Sequence, residues 1–360
     1  MADRYWVGGT GAWSSTNTAN WSTTSGGSTG ASVPTAADNV FFDSLSNTGT
    51  TAFTVTMSVG PRVCLNFDAS ALDGVMTLAG ASIDLEISGS YITHATNYSP
   101  TYTGTTSFIA TTTGKTISSA VAFPGAVTFN GSGGAWTLNS SITVPNTSTT
   151  TLTQGTLALG TYNLTTGIFS SSNNYTRSIA FGTGFIVLNH SGAGNTVLSM
   201  AVVGAFTWTG TGGFSSAMTV TRTFDFGSSS GATAANAPNL YINSGASIPA
   251  FYSTGTRYNI LDFTGSTSTN VTGSTTPNTL VLATGGAYSS FDIQLTGTTH
   301  TINANGNSVG TLVINNSAGT VTLTSAYGTA ATGNTVTLTT GALALGGFNL
   351  TTGIFSSSNN

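Results

Sequence analysis

Few side chains in this sequence can do chemistry, and they stand apart from one another. Asp84 and Glu86 are two residues apart, so on a strand they share one face while Ile83, Leu85 and Ile87 take the other. Paired carboxylates are the machinery of glycoside hydrolysis, one acting as acid and the other as base or nucleophile. Nothing else nearby supports that role, and a solvated outer face accounts for the pair. His94, His190 and His300 are widely separated, and none has a second His, Cys or carboxylate at the spacing of a zinc site. Asp38, Asn39 and Asp43 could offer oxygens to calcium but lack the dense Asp/Asn/Gly spacing of a calcium loop; a turn capped by Asp38 is the simpler expectation. Asp225-Phe226-Gly227 spells the magnesium motif of kinases without a Gly-rich loop, lysine or catalytic loop to accompany it. The single cysteine, Cys64, excludes an internal disulfide, and in Val63-Cys64-Leu65-Asn66-Phe67 it reads as a buried, inert thiol. Trp6, Trp13 and Trp21, with Tyr5, can be read as a stacking platform for sugar rings or as the aromatic core of a small β module. The expectation is therefore no catalytic residue, no metal and no cofactor, with sugar binding at the three tryptophans as the one site to test.

The composition explains this poverty. Only 4% of the 360 residues are charged, against 39% apolar, whereas an ordinary soluble domain carries about a quarter of its residues as Asp, Glu, Lys or Arg. Disordered chains are poor in apolar residues and rich in net charge; this one has 19 Phe, 11 Tyr and 5 Trp. Arg4, Arg62, Lys115, Arg177, Arg222 and Arg257 are scattered singly and the net charge is −4, so there is no phosphate-neutralising track and no nucleic-acid partner is expected. No apolar run approaches the length of a membrane helix, and the opening residues lack a basic region followed by an apolar one. No membrane insertion or secretion signal is expected, and assembly in the cytoplasm is.

The elements that must position these residues are short strands. Segments such as Phe53-Thr54-Val55-Thr56-Met57 and Leu312-Val313-Ile314 alternate with period two and are punctuated by Gly and Asn. No stretch carries a helical apolar stripe. Residues 155–174, GTLALGTYNLTTGIFSSSNN, return at 341–360 as GALALGGFNLTTGIFSSSNN, identical at seventeen of twenty positions with an offset of 186. Such a block is too long for one coil and must hold several. The expected fold is all-β: an elongated, β-solenoid-like repeat protein, with serial β-sandwich or β-prism units as the alternative. In a solenoid, ladders of Thr, Ser and Asn stack coil on coil where like charges would repel. Seven of the ten acids precede residue 90, which suggests an N-terminal aromatic-rich attachment module at 1–95 and a repetitive body at 96–360. Because the second copy stops mid-repeat, the body is expected to continue beyond residue 360.

The opening, Arg4-Tyr5-Trp6-Val7-Gly8-Gly9-Thr10-Gly11-Ala12-Trp13, then Asn20-Trp21-Ser22 and Val33-Pro34-Thr35-Ala36-Ala37-Asp38-Asn39-Val40-Phe41-Phe42-Asp43, resembles the start of large Gly/Ser/Thr-rich structural proteins of tailed bacteriophages, cyanophage-like ones in particular. Related openings occur on bacterial repeat adhesins. The segments Phe129–Leu138 and Gly155–Leu159 are similar in style to the repeats of those proteins. The resemblance implies a structural virion protein, a fibre or appendage projecting from the particle surface and supporting host attachment. It implies a homo-oligomer, by analogy a homotrimer, with the N-terminal module on capsid or tail proteins and a host-surface glycan as a further partner. The alternatives are a bacterial surface repeat adhesin and, more remotely, a tailspike-like polysaccharide depolymerase. The resemblance carries no catalytic residues.

Overall fold

The computed structural model describes residues 1–48, 51–192, 194–200, 206–218, 222–226, 237–242, 248–252, 256–266, 269–272, 274–297, 299–328 and 334–357. The fold is all-β, a parallel β-solenoid of about 12 turns, with no helix among the described residues. Serial sandwiches or prisms would pair strands mainly antiparallel; here neighbouring coils pair in parallel. The chain divides into two compact units, residues 1–167 with 176–180, and residues 168–175 with 181–360.

In the first unit each coil contributes up to three short strands. Leu85 pairs with Thr106 and Thr106 with Val127, so a coil here is 21 residues. One row of strands runs Asp3–Trp6, Asn39–Asp43, Phe67–Ala71, Tyr91–Thr93 and Lys115–Ser118. Another runs Gly11–Trp13, Phe53–Met57, Met76–Ala79 and Tyr98–Pro100. Alternation drives the arrangement: in Phe53–Met57 the odd residues Phe53, Val55 and Met57 are buried and the threonines between them are not. Because coils stack in register, like positions meet. Phe67 and Tyr91 are register partners and their rings stack at 5.1 Å; Phe108 and Phe129 do the same at 5.2 Å. Pairing runs without a break through residue 95, where Leu85↔Thr106 and Tyr91↔Ile117 link the acid-rich opening to the coils that follow.

The first coil differs from the rest. Asp3 pairs with Asn39, a span of 36 residues, and the extra chain folds back as Trp21–Ser22, antiparallel to Asp3–Trp6. Solenoid ends must hide their apolar stack behind a polar outer layer, and this excursion does so with Ser, Thr, Gly and Asn outside and three tryptophans inside.

The second unit repeats the grammar. One row includes Ile168–Ser170, Thr196–Ser199 and Thr223–Asp225; another runs Gly213–Ser216, Asn239–Ile242, Thr256–Asp262 and Ser274–Val281. Val309–Leu323 and Thr335–Ala344 follow. The duplication is wider in structure than in sequence. In the first unit Phe129 pairs with Leu152, Asn130 with Gln154 and Ala135 with Thr156; in the second, Ile314 pairs with Leu338, Asn315 with Thr340 and Thr320 with Ala342. Both pairs carry the same two register shifts, hence the same bulge. The bulge is pinned by the same bond: Gln154 Nε2 donates to Asn130 Oδ1 at 2.9 Å, and Thr340 Oγ1 donates to Asn315 Oδ1 at 2.8 Å.

Candidate functional site

The residues with chemical potential are committed to structure. Asp38 Oδ1 accepts from the Ala2 amide at 3.0 Å, and its Oδ2 accepts from the Thr35 amide at 3.1 Å and hydroxyl at 2.7 Å. Burial pushes its carboxyl up, but these bonds and the Arg4 charge outweigh that and hold it below the usual value. It is the expected turn cap. Asp43 Oδ1 accepts from the Leu45 amide. Asp84 Oδ1 accepts from the Thr105 amide of the next coil at 2.7 Å, while Glu86 stands outward between its register partners Val63 and Ser107. Phe226 is a core residue, 5.4 Å from Tyr258; Gly227 of that motif lies outside the described residues. Among the described residues no group of three His, Cys, Asp or Glu is placed to hold a metal.

The histidines also serve local structure. His94 Nδ1 accepts from the Thr96 and Asn97 amides. His190 lies 2.9 Å from Asn195 through its Nε2. His300 is buried with its Nδ1 2.7 Å from the Pro277 carbonyl, which can only accept, so Nδ1 carries the hydrogen. Its Nε2 is buried, with no hydrogen-bond partner within geometric reach among the described residues. Burial, aided by the Arg257 charge, holds the imidazole below its ordinary value near 6.5, against the opposing pull of the Pro277 and Thr296 carbonyls. The unfolded chain therefore takes up the proton first, and the stability His300 contributes is full above about pH 6.5 and lost as the pH falls below it. Urea titrations should give a midpoint that drops between pH 7.5 and 5.5, and His300→Gln should flatten that drop. An unchanged wild-type midpoint would refute a neutral buried His300.

The three tryptophans do not form a platform. Trp6, Trp13 and Trp21 are each 0% exposed. Trp21 meets Trp6 edge-on at 5.1 Å and Trp13 at 5.4 Å, and Trp6 Nε1 donates to the Gly9 carbonyl at 2.7 Å. A ring without an exposed face cannot stack on a sugar; here the rings fill the first coil because strand alternation turns them inward. Cys64 is buried, as its surroundings suggest, and burial pushes its thiol up.

What the end does present outward is different. Adjacent residues on a strand face opposite sides, so Trp6 and Phe42 point in while Tyr5 and Phe41 point out. These two are register partners, and their half-buried rings stack at 4.8 Å with 17° between planes. Asp68 is the next partner in that row. Burial first, then the Asp3 and Asp43 charges, pushes the Tyr5 phenol up. The adjacent doublets Tyr5-Trp6 and Phe41-Phe42 were the signal that one ring of each pair must face out. Beside them runs a polar ladder: Asn39 Nδ2 donates to Asp3 Oδ1 at 2.8 Å, Asn66 Nδ2 to Asn39 Oδ1 at 2.8 Å, the Ser90 amide to Asn66 Oδ1 at 2.7 Å, and the Thr116 amide to Ser90 Oγ at 3.0 Å. Each amide side chain serves as acceptor for one coil and donor to another, which two like charges could not do.

Comparison with protein-family models, with curated proteins and with solved structures finds no match to this chain in any of the three.

Proposed function

We propose that this chain is a structural protein of a tailed-phage particle, a fibre or appendage exposed on the virion surface that supports attachment to the host. The observation that carries the reading is the polar ladder from Asp3 to Thr116, which ties successive coils together through amide and hydroxyl side chains. Hydrogen bonds of this kind are little affected by salt, because few separated charges are there to be screened. A protein that works by reach and endurance needs such a wall, and the resemblance of the first 43 residues to phage structural proteins supplies the setting.

In this reading the N-terminal coils attach to capsid or tail proteins through their outward face, the Tyr5–Phe41 stack rimmed by Asp3, Asp43 and Asp68. The body presents the distal part of the protein to a host-surface glycan. Self-association is part of the proposal, since a fibre must close its strand edges and the oligomers that do so are mostly symmetric homo-oligomers; a trimer is the proposed order. Electron cryomicroscopy of native particles with an antibody to residues 1–90 tests the assignment. Label at the base of a projection on the virion supports it, and a Tyr5→Ser, Phe41→Ser double variant should then fail to incorporate while keeping its fold. Label on a cell envelope would replace the phage reading with the adhesin.

A further inference from the structure

The second unit carries an outward aromatic pair of its own. Phe185–Leu188, Gly213–Ser216, Asn239–Ile242 and Thr256–Asp262 are successive strands of one row. Ile186, Leu188, Leu240 and Ile242 turn into the core, so Phe185 and Tyr241 turn out, and both rings are half-buried. They belong to coils two apart. The coil between them places Gly213 beside Phe185 and Ser215 beside Tyr241. No larger side chain can stand at Gly213, whose added β-carbon would run into the Asn239 carbonyl. The rings therefore meet across a strip of small residues, with centres 5.6 Å apart and planes at 65°. In the first unit Tyr5 and Phe41 lie flat on each other instead, with 17° between planes. A near-parallel stack uses up the facing ring surfaces, whereas a tilted pair leaves a corner.

Polar groups border that corner. Tyr241 and Asp262 are register partners, and burial first, then the Asp262 charge, pushes the phenol up. Asp262 Oδ1 accepts from the Thr264 amide at 2.8 Å, so Oδ2 is the acceptor it can offer. The nearest basic residue along the chain, Arg257, gives its Nη2 to the Thr296 carbonyl at 2.7 Å. In the same row Asn259 Nδ2 donates to Asn239 Oδ1 at 2.9 Å, and Asn239 Nδ2 donates to the Thr211 carbonyl. We infer that Phe185, Tyr241 and Asp262 form a binding site for an uncharged saccharide. The C–H face of a sugar ring suits the negative face of an aromatic ring. Its hydroxyls donate to a carboxylate oxygen and exchange hydrogen bonds with amides. The Asp262 charge repels acidic sugars. A basic peptide would call for further acids, and the border is otherwise serine and asparagine. The inference rests on the attachment reading above only for the source of the saccharide.

The test applies the labelled 360-residue chain to an array of neutral oligosaccharides of hexoses, deoxyhexoses and N-acetylhexosamines, with sialylated and uronic-acid glycans alongside. Calorimetry then measures the neutral members that bind. Tyr241→Ser and Asp262→Asn should each weaken them at least about ten-fold. Tyr241→Phe keeps the ring and should cost no more than about three-fold. Unchanged amide exchange across residues 206–216 in these variants separates a lost site from a lost fold. The Tyr5→Ser, Phe41→Ser double variant should bind sugar as the wild type does, so failure at the particle and failure at this site are read separately. Absence of any neutral ligand at millimolar concentration overturns the inference. So does neutral-sugar binding that survives Tyr241→Ser. Binding confined to charged glycans, or abolished by added salt, overturns it as well, because an uncharged ligand leaves nothing for salt to screen.

Discussion

Gly155→Ala should lower the stability of the first unit by about 2–5 kcal/mol, combining roughly 1–2 for a left-handed alanine with 1–3 for forcing apart a packed site. Gly155 has φ +93, and a β-carbon there would lie 2.7 Å from the Gly131 carbonyl, 2.8 Å from the Gly134 carbonyl and 2.9 Å from the ring of Trp136. Two of these obstacles are backbone and the third is a fully buried indole, so none can swing aside. Gly160 provides the internal reference. Its φ is +65, but nothing lies within 4 Å of an added β-carbon. Gly160→Ala should therefore cost only about 1 kcal/mol, the conformational part alone. Chemical denaturation of the two variants decides the matter: equal losses would mean the close approach of coils at the bulge is not what selects glycine. The second copy makes the same demand, since Gly341 has φ +96 and its added β-carbon would run into the Asn316 carbonyl.

Trp21→Ala should cost about 4 kcal/mol, the usual range for emptying a buried tryptophan site. Trp21 sits between Trp6, Trp13 and Phe42, whose ring centres lie 5.1, 5.4 and 6.3 Å away, so its loss opens a cavity under the cap that three rings line. In a repeat fold, stability is close to a sum over neighbouring coils. The damage should therefore appear as fast amide exchange in residues 3–57, with coils beyond residue 100 nearly unaffected. Trp21→Phe is a finer probe. Trp21 Nε1 is buried with no partner among the described residues, so removing it relieves an unsatisfied donor and offsets part of the lost volume. Trp6→Phe has no such relief, because it strips the bond to the Gly9 carbonyl. Trp6→Phe should be the more destabilising of the two, and the reverse order would refute the cap geometry.

The glycines and tryptophans show how much of the molecule was legible in advance. Period-two alternation, the absence of any helical stripe and the block returning at an offset of 186 were enough to predict short strands and stacked coils. The isolation of the histidines and the single cysteine gave no reason to expect a zinc site or an internal disulfide. Parity along a strand also requires Tyr5 and Trp6 to face opposite ways. It does not say which of them faces the core, so a sugar platform and an aromatic core are both readable for Trp6, Trp13 and Trp21, and only their burial favours the core. The bulge shared by Val127–Leu138 and Val309–Leu323 was equally hidden, because only five of ten residues from Phe129 and Ile314 onward agree. What is retained is a spacing, an amide-bearing Asn and a glycine that lets two carbonyls approach.

Local sequence thus determined the strand, its alternation and its turns, all of which depend on near neighbours in the chain. Which coil closes each apolar row was decided by tertiary structure. The physical reason is that a solenoid coil cannot cover its own apolar row. Each row is closed by the coil stacked on it, some twenty residues or more away along the chain, and Phe169 has Leu198 above it.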